Sequence, residues 1–137
     1  MNFHGMRHLS RAVAAVAFVS VSVALAACAT ISDGMMPARV SDGAMTNGSG
    51  MTLYTFDKDT AGSSKSVCNG PCTVIWPAFT APADAKAAGD WSVVTRDDGT
   101  RQWAYKGKPL YAFARDAKPG DRTGDGFNSN IWHVARP

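Results

Sequence analysis

The chain contains no glutamate, and all eleven of its acidic residues are aspartate. A short carboxylate bonds neighbouring backbone and suits turns better than helix surfaces, so this absence argues against a helical fold and for a turn-rich β one. Histidine is nearly as scarce. Of three imidazoles only His133 lies beyond the first eight residues, which removes most metal and catalytic arrangements that need two or more. No apolar run reaches the roughly 20 residues that a permanent spanning helix requires. A basic excess is also missing from most of the chain. Beyond residue 27 there are 12 Lys and Arg (14 less Arg7 and Arg11) against 11 Asp, so no electrostatic footprint for nucleic acid remains.

What is present begins with an export pattern. Arg7, His8 and Arg11 form a positive leader and residues 12–24 an apolar run too short to stay as a membrane span. Leu25-Ala26-Ala27-Cys28 then matches a lipobox, in which small residues precede a cysteine whose thiol accepts diacylglycerol. Residues 1–27 are therefore expected to be a lipoprotein signal peptide, with Cys28 lipidated and residues 28–40 a tether of small and polar character. Several acyl chains on one residue exceed what stable anchoring needs. Ala29 follows the cysteine, which points to the outer membrane, facing the periplasm. Residues 41–137 are enough for one small domain.

That domain is an internal duplication. Tyr-x-Phe-x-x-Asp occurs as Tyr54, Phe56, Asp59 and again as Tyr111, Phe113, Asp116, each copy preceded by Leu and an Asp-Gly pair and followed by Ile75-Trp76 or Ile131-Trp132. Two repeats, about 41–79 and 97–134, are each too small to fold alone and are expected to pack as a pseudo-symmetric pair around one core. Residues 91–95, 101–105 and 110–113 are rich in Val, Trp, Tyr and Phe and are separated by Asp98-Gly99 and Lys106-Gly107-Lys108. This punctuation predicts a three-stranded antiparallel meander with a type I′ turn at Asp98-Gly99. Alternation places Tyr54 and Phe56 on one strand face, and each motif Asp falls where the chain turns and is expected to cap backbone donors. Residues 81–89, Ala-rich between Pro and Gly, predict a connector with one or two helical turns. The fold class is mainly β, a single domain of two antiparallel repeats with short hairpins.

These motifs, together with Cys68-Asn69-Gly70-Pro71-Cys72, Trp76-Pro77 and the Gly-Asp-rich run before Trp132-His133, resemble a group of predicted bacterial lipoproteins with a conserved Tyr-x-(Phe/Trp/Tyr)-x-x-Asp motif, also described as a secreted repeat of unknown function. The resemblance spans about residues 42–134 and implies an exported or lipid-anchored bacterial protein. It brings no catalytic residues with it.

Cys68 and Cys72, exported and drawn together by an Asn-Gly-Pro turn, are expected to form a disulfide. A c-type haem site or a thioredoxin-like centre needs a different spacing. The competing reading is copper held by Cys68, Cys72 and His133, with Met35, Met36, Met45 and Met51 as further soft ligands. Asp116, Asp121, Asp125 and Asn128 invite a calcium loop, although their spacing departs from the EF-hand and suits turns. Trp76, Trp91, Trp103 and Trp132 offer either core rings or a sugar platform for glycan or peptidoglycan. No Gly-x-Ser-x-Gly elbow is present, and eleven Asp nominate no particular glycosidase pair. The reading that follows is a non-enzymatic envelope module, binding or structural, without a cofactor, whose partners are the membrane and an envelope protein or glycan.

Overall fold

The computed structural model describes residues 36–137; Cys28 and the leader lie outside them. Seven short strands and two single helical turns follow in the order β1 (Arg39–Ser41), β2 (Ala44–Thr46), β3 (Tyr54–Phe56), α1 (Cys72–Ile75), β4 (Trp91–Thr95), β5 (Arg101–Tyr105), β6 (Lys108–Pro109), α2 (Phe127–Asn130) and β7 (Trp132–Val134). All strand pairs are antiparallel: β1 with β2, β3 with β7, and β4-β5-β6. Among the described residues no helix is long and apolar enough to cross a membrane.

Folded structure starts earlier than the composition of the tether suggests. Ala38 is buried, and Arg39–Ser41 pairs with Ala44–Thr46 across a two-residue turn in which Asp42 and Gly43 both have positive φ. That turn fixes the register, and residues 38–40, counted above with the tether, belong to the domain.

The meander forms with two departures. Arg96 N–H donates to Thr100 and Gly99 N–H to Arg96, and within this loop only Gly99 has positive φ. The Asp98-Gly99 connection is thus a longer loop closed by one left-handed glycine, not a type I′ turn. Lys106-Gly107, with φ of 48° and 78°, supplies the tight two-residue turn instead. The third strand is only Lys108–Pro109, because Tyr111 leaves the meander to pair with Tyr54 on one side and Ala78 on the other.

The connector between the repeats contains no helix. Arg101, reaching from β5, donates to the carbonyls of Pro82, Ala83 and Ala85, and an extended path presents those oxygens where a helix would use them internally. The helical turns lie instead before the two Ile-Trp pairs, at equivalent places in the repeats. The second is irregular: Asn128, Ser129 and Asn130 all take positive φ.

Period-two alternation buries both sides of the motif segment. Tyr54, Phe56, Tyr111, Phe113, Trp76, Trp132 and Val134 form one apolar cluster. Leu53 and Leu110, adjacent to the tyrosines, face the other way into a second cluster with Met45, Trp91 and Ala135. The core is therefore double, split by the central paired backbone.

Candidate functional site

The repeated residues meet at the contact between the repeats. Tyr54 and Tyr111 exchange backbone hydrogen bonds, Tyr54 N–H to the Tyr111 carbonyl at 2.8 Å and the reverse at 3.0 Å. Each tyrosine then reaches the aspartate of the other copy. Tyr54 Oη donates to Asp116 Oδ2 at 2.6 Å, and Tyr111 Oη donates to Asp59 Oδ2 at 2.5 Å. The second oxygen of each carboxylate caps its own turn: Asp59 Oδ1 accepts from Val67 N–H, and Asp116 Oδ1 from the N–H and hydroxyl of Thr123. One motif thus locks two elements at once, its tyrosine crossing to the partner repeat while its aspartate orders the following loop.

The phenylalanine rings make the same exchange, while each tyrosine ring stays against the tryptophan of its own repeat. Trp76 and Trp132 stack with centroids 3.7 Å apart and planes 3° from parallel. Phe56 of the first repeat stacks on Trp132 of the second at 4.1 Å, and Phe113 of the second on Trp76 of the first at 4.4 Å. Tyr54 meets Trp76 edge-on at 5.3 Å and Tyr111 meets Trp132 at 5.1 Å. Each such pair adds about 0.5–1.5 kcal/mol beyond its buried area. Gly124 admits this stack, since a Cβ there would lie 2.7 Å from Trp76, 3.0 Å from Phe113 and 3.0 Å from Tyr54.

The two locks differ in their surroundings. Around Tyr111 the hydroxyl also meets Ser66 Oγ at 2.6 Å, and the buried Arg96 donates to Ser66 Oγ at 2.9 Å, to Gln102 Oε1 at 2.6 Å and to the Cys68 carbonyl. Gln102 Nε2 closes the network on the Leu110 carbonyl. Burial raises the Asp59 carboxyl above the usual aspartate range, opposed by the Tyr111 hydroxyl, the Val67 amide and the positive charge of Arg96. The phenols of Tyr54 and Tyr111 are raised in turn, first by burial and then by their aspartate partners, so both remain hydroxyl donors at neutral pH. Around Tyr54 the addition among the described residues is Gly124 N–H, 3.3 Å from its oxygen. The arrangement holds structure together and leaves no motif carboxylate facing solvent.

Other residues singled out by type occupy simpler places. Cys68 and Cys72 are joined as a disulfide, with Cys68 buried beside the aromatic cluster. His133 sits on β7 and pairs with Asp57 at 2.8 Å; it is not brought to the cysteines, and no group of three metal-ligating His, Cys, Asp or Glu side chains occurs among the described residues. The aspartates of the glycine-rich run cap backbone: Asp121 accepts from Ala117 and Lys118, Asp125 from Val134. These bonds hold the Asp121 carboxyl below the usual range, the Ala117 amide most of all. Trp76, Trp91 and Trp132 are buried and Trp103 is half-buried, so the four rings do not assemble into an exposed platform. Met45 is core. Ser66, Arg96 and Gln102 carry no sequence motif; Arg96, immediately after β4, is buried although Thr95 before it is exposed.

Comparison with known proteins agrees with the internal symmetry. A family model described as a secreted repeat of unknown function matches the chain twice, over residues 38–80 and 92–136. No curated protein and no solved structure matches.

Proposed function

The chain belongs to the family of secreted repeats of unknown function, and from that premise we propose that it is a lipid-anchored, non-enzymatic module of the bacterial envelope. The single observation behind the non-enzymatic reading is the use of the repeated polar groups. Tyr54, Asp59, Tyr111 and Asp116 are all buried and bonded to one another across the repeats, so the residues that define the repeat support the fold and none faces a substrate. A duplicated, disulfide-stapled domain of this kind is suited to presenting a surface on the outside of a membrane to which it is tethered. The anchoring reading is supported by Leu25-Ala26-Ala27-Cys28 following a charged and then apolar leader. Residues 29–37 separate Cys28 from the buried Ala38, a reach of about 30 Å when extended.

Labelling with a fatty-acid analogue tests the anchor. The full chain expressed in a Gram-negative host should acquire the label and partition into detergent with the outer membrane. The Cys28→Ser variant should lose both label and processing. Wild-type protein recovered unlabelled from the soluble periplasm would reject the anchor.

A further inference from the structure

We infer that the cleft between the β5–β6 hairpin and β7 is a binding site for a small phosphate monoester. The cleft, about 240 Å³, is lined by Tyr105, Lys106, Lys108 and Leu110 on one side and by Thr55 with residues 134–136 on the other. Three of its lining residues are cationic, Lys106, Lys108 and Arg136, and none is acidic. The ion pairs found among the described residues, Lys118 with Asp121 and His133 with Asp57, involve none of these three. Asp57, two residues beyond Thr55, is already engaged by His133. Three positive charges around one concavity with low-dielectric walls focus their field into it.

The geometry is held in place before any ligand arrives. Lys106 and Lys108 flank Gly107, whose carbonyl accepts from Gly62 N–H at 2.9 Å. A Cβ on Gly107 would come within 2.6 Å of that same nitrogen, so the hairpin tip is pressed against the loop that follows the first motif. Lys106 N–H is fixed on the Asp90 carbonyl at 2.8 Å, and its ammonium lies 5.2 Å above the Tyr105 ring. Arg136 is steadied by the Gly43 carbonyl at 3.3 Å. The hairpin backbone that carries the two lysines is thus fixed, which limits what binding must order there to their side chains.

Size and chemistry select the ligand. The cleft falls below the roughly 300–1,000 Å³ typical of pockets for drug-sized molecules. Lysine binds phosphate as a point charge, and arginine forks onto its oxygens. The partly exposed Tyr105 ring, backed by the buried Leu110, Val134 and Ala135, provides an apolar surface that a bare inorganic ion would not use. A dianionic phosphate on a short carbon body satisfies both halves. Such a group is a free ester; the diester of a phospholipid head group carries one negative charge only and is the alternative that the test separates. The proposal deepens the binding-module reading and rests on it.

The test is calorimetric titration of the full mature chain in non-ionic detergent with glycerol phosphate and, separately, with glycerophosphoglycerol, the diester of a deacylated head group. Saturable one-to-one binding of glycerol phosphate is expected, at least tenfold weaker in Lys106→Gln/Lys108→Gln at an unchanged melting temperature, as for the loss of charged hydrogen bonds. Affinity for the diester equal to that for the monoester would overturn the choice of a dianionic monoester and point to lipid head groups instead. Binding of neither probe, or binding untouched by the double substitution, would overturn the proposal. Release of inorganic phosphate from glycerol phosphate would leave the site standing and remove the non-enzymatic reading instead.

Discussion

Replacing Tyr111 by Phe deletes one oxygen and little else, because the ring stays packed edge-on against Trp132. Asp59 Oδ2 then loses its donor at 2.5 Å while Oδ1 keeps the Val67 amide, and Ser66 Oγ keeps Arg96. A hydrogen bond to a charged group contributes about 1.5–3 kcal/mol. In a domain near 100 residues each kcal/mol moves the melting temperature by roughly 4–8 °C, so a fall of about 10 °C is expected in thermal unfolding followed by circular dichroism. The decisive arrangement is a pair of double-mutant cycles. Tyr111→Phe with Asp59→Asn should show coupling of at least about 1.5 kcal/mol, whereas Tyr54→Phe with Asp59→Asn, the two members of one motif copy, should add to within about 0.5 kcal/mol. Acidification supplies an internal control. Asp59 is raised in the folded state, so the native protein holds its proton more tightly than the unfolded chain and gains stability as pH falls through that raised value. Removing the Tyr111 hydroxyl raises it further, and the cost of Tyr111→Phe should therefore shrink between pH 7 and pH 4. Coupling concentrated within one motif copy, or a cost that grows on acidification, would refute the exchange of partners described here.

Further outcomes follow from single contacts. Gly124→Ala places a methyl against Trp76, Phe113 and Tyr54 and should cost about 1–3 kcal/mol by overpacking, read as an earlier midpoint in urea with an unchanged slope. Cys68→Ser/Cys72→Ser opens a loop of sequence separation 4 and should cost about 2 kcal/mol by loop entropy, with the secondary-structure spectrum retained. Asp121 is lowered in the folded state by the Ala117 and Lys118 amides and the Lys118 side chain, so its contribution is present above the unfolded value and lost as pH falls through the folded one. Asp121→Asn should accordingly flatten the acid limb of stability, and a steeper limb would contradict the capping role. Asp59→Asn should do the opposite, with the wild type gaining relative to the variant on acidification.

Much of the architecture was legible because it rests on local rules. The repeated Tyr-x-Phe-x-x-Asp, the alternation around it and the glycine turns announce a duplicated β domain, and the fold obeys them. What sequence spacing did not reveal is which copy each side chain serves. Tyr54 with Asp116 and Tyr111 with Asp59 are contacts across 62 and 52 positions, and nothing in either motif distinguishes a partner five residues on from one in the other repeat. The Ala-rich connector misled for a related reason: helix propensity is weak, and Arg101 claims its carbonyls from a distant strand. The third meander strand was overextended because Tyr111 satisfies Tyr54, a pairing invisible from local hydrophobicity. Arg96 is not legible at all, because a buried guanidinium leaves no periodic signal.

Native-state hydrogen exchange is the most direct test of the central claim that the two repeats form one interlocked unit. The amides of Tyr54 and Tyr111 bond each other's carbonyls at the repeat contact, and that of Trp76 bonds the Cys72 carbonyl beneath the stack. All three should exchange only through global unfolding, with the same opening free energy as that measured by denaturant and the same response to Tyr54→Phe and Tyr111→Phe. Exchange of Tyr54 and Tyr111 together at a lower free energy than Trp76 would mean that the second repeat opens while the first stays folded, and would contradict the account.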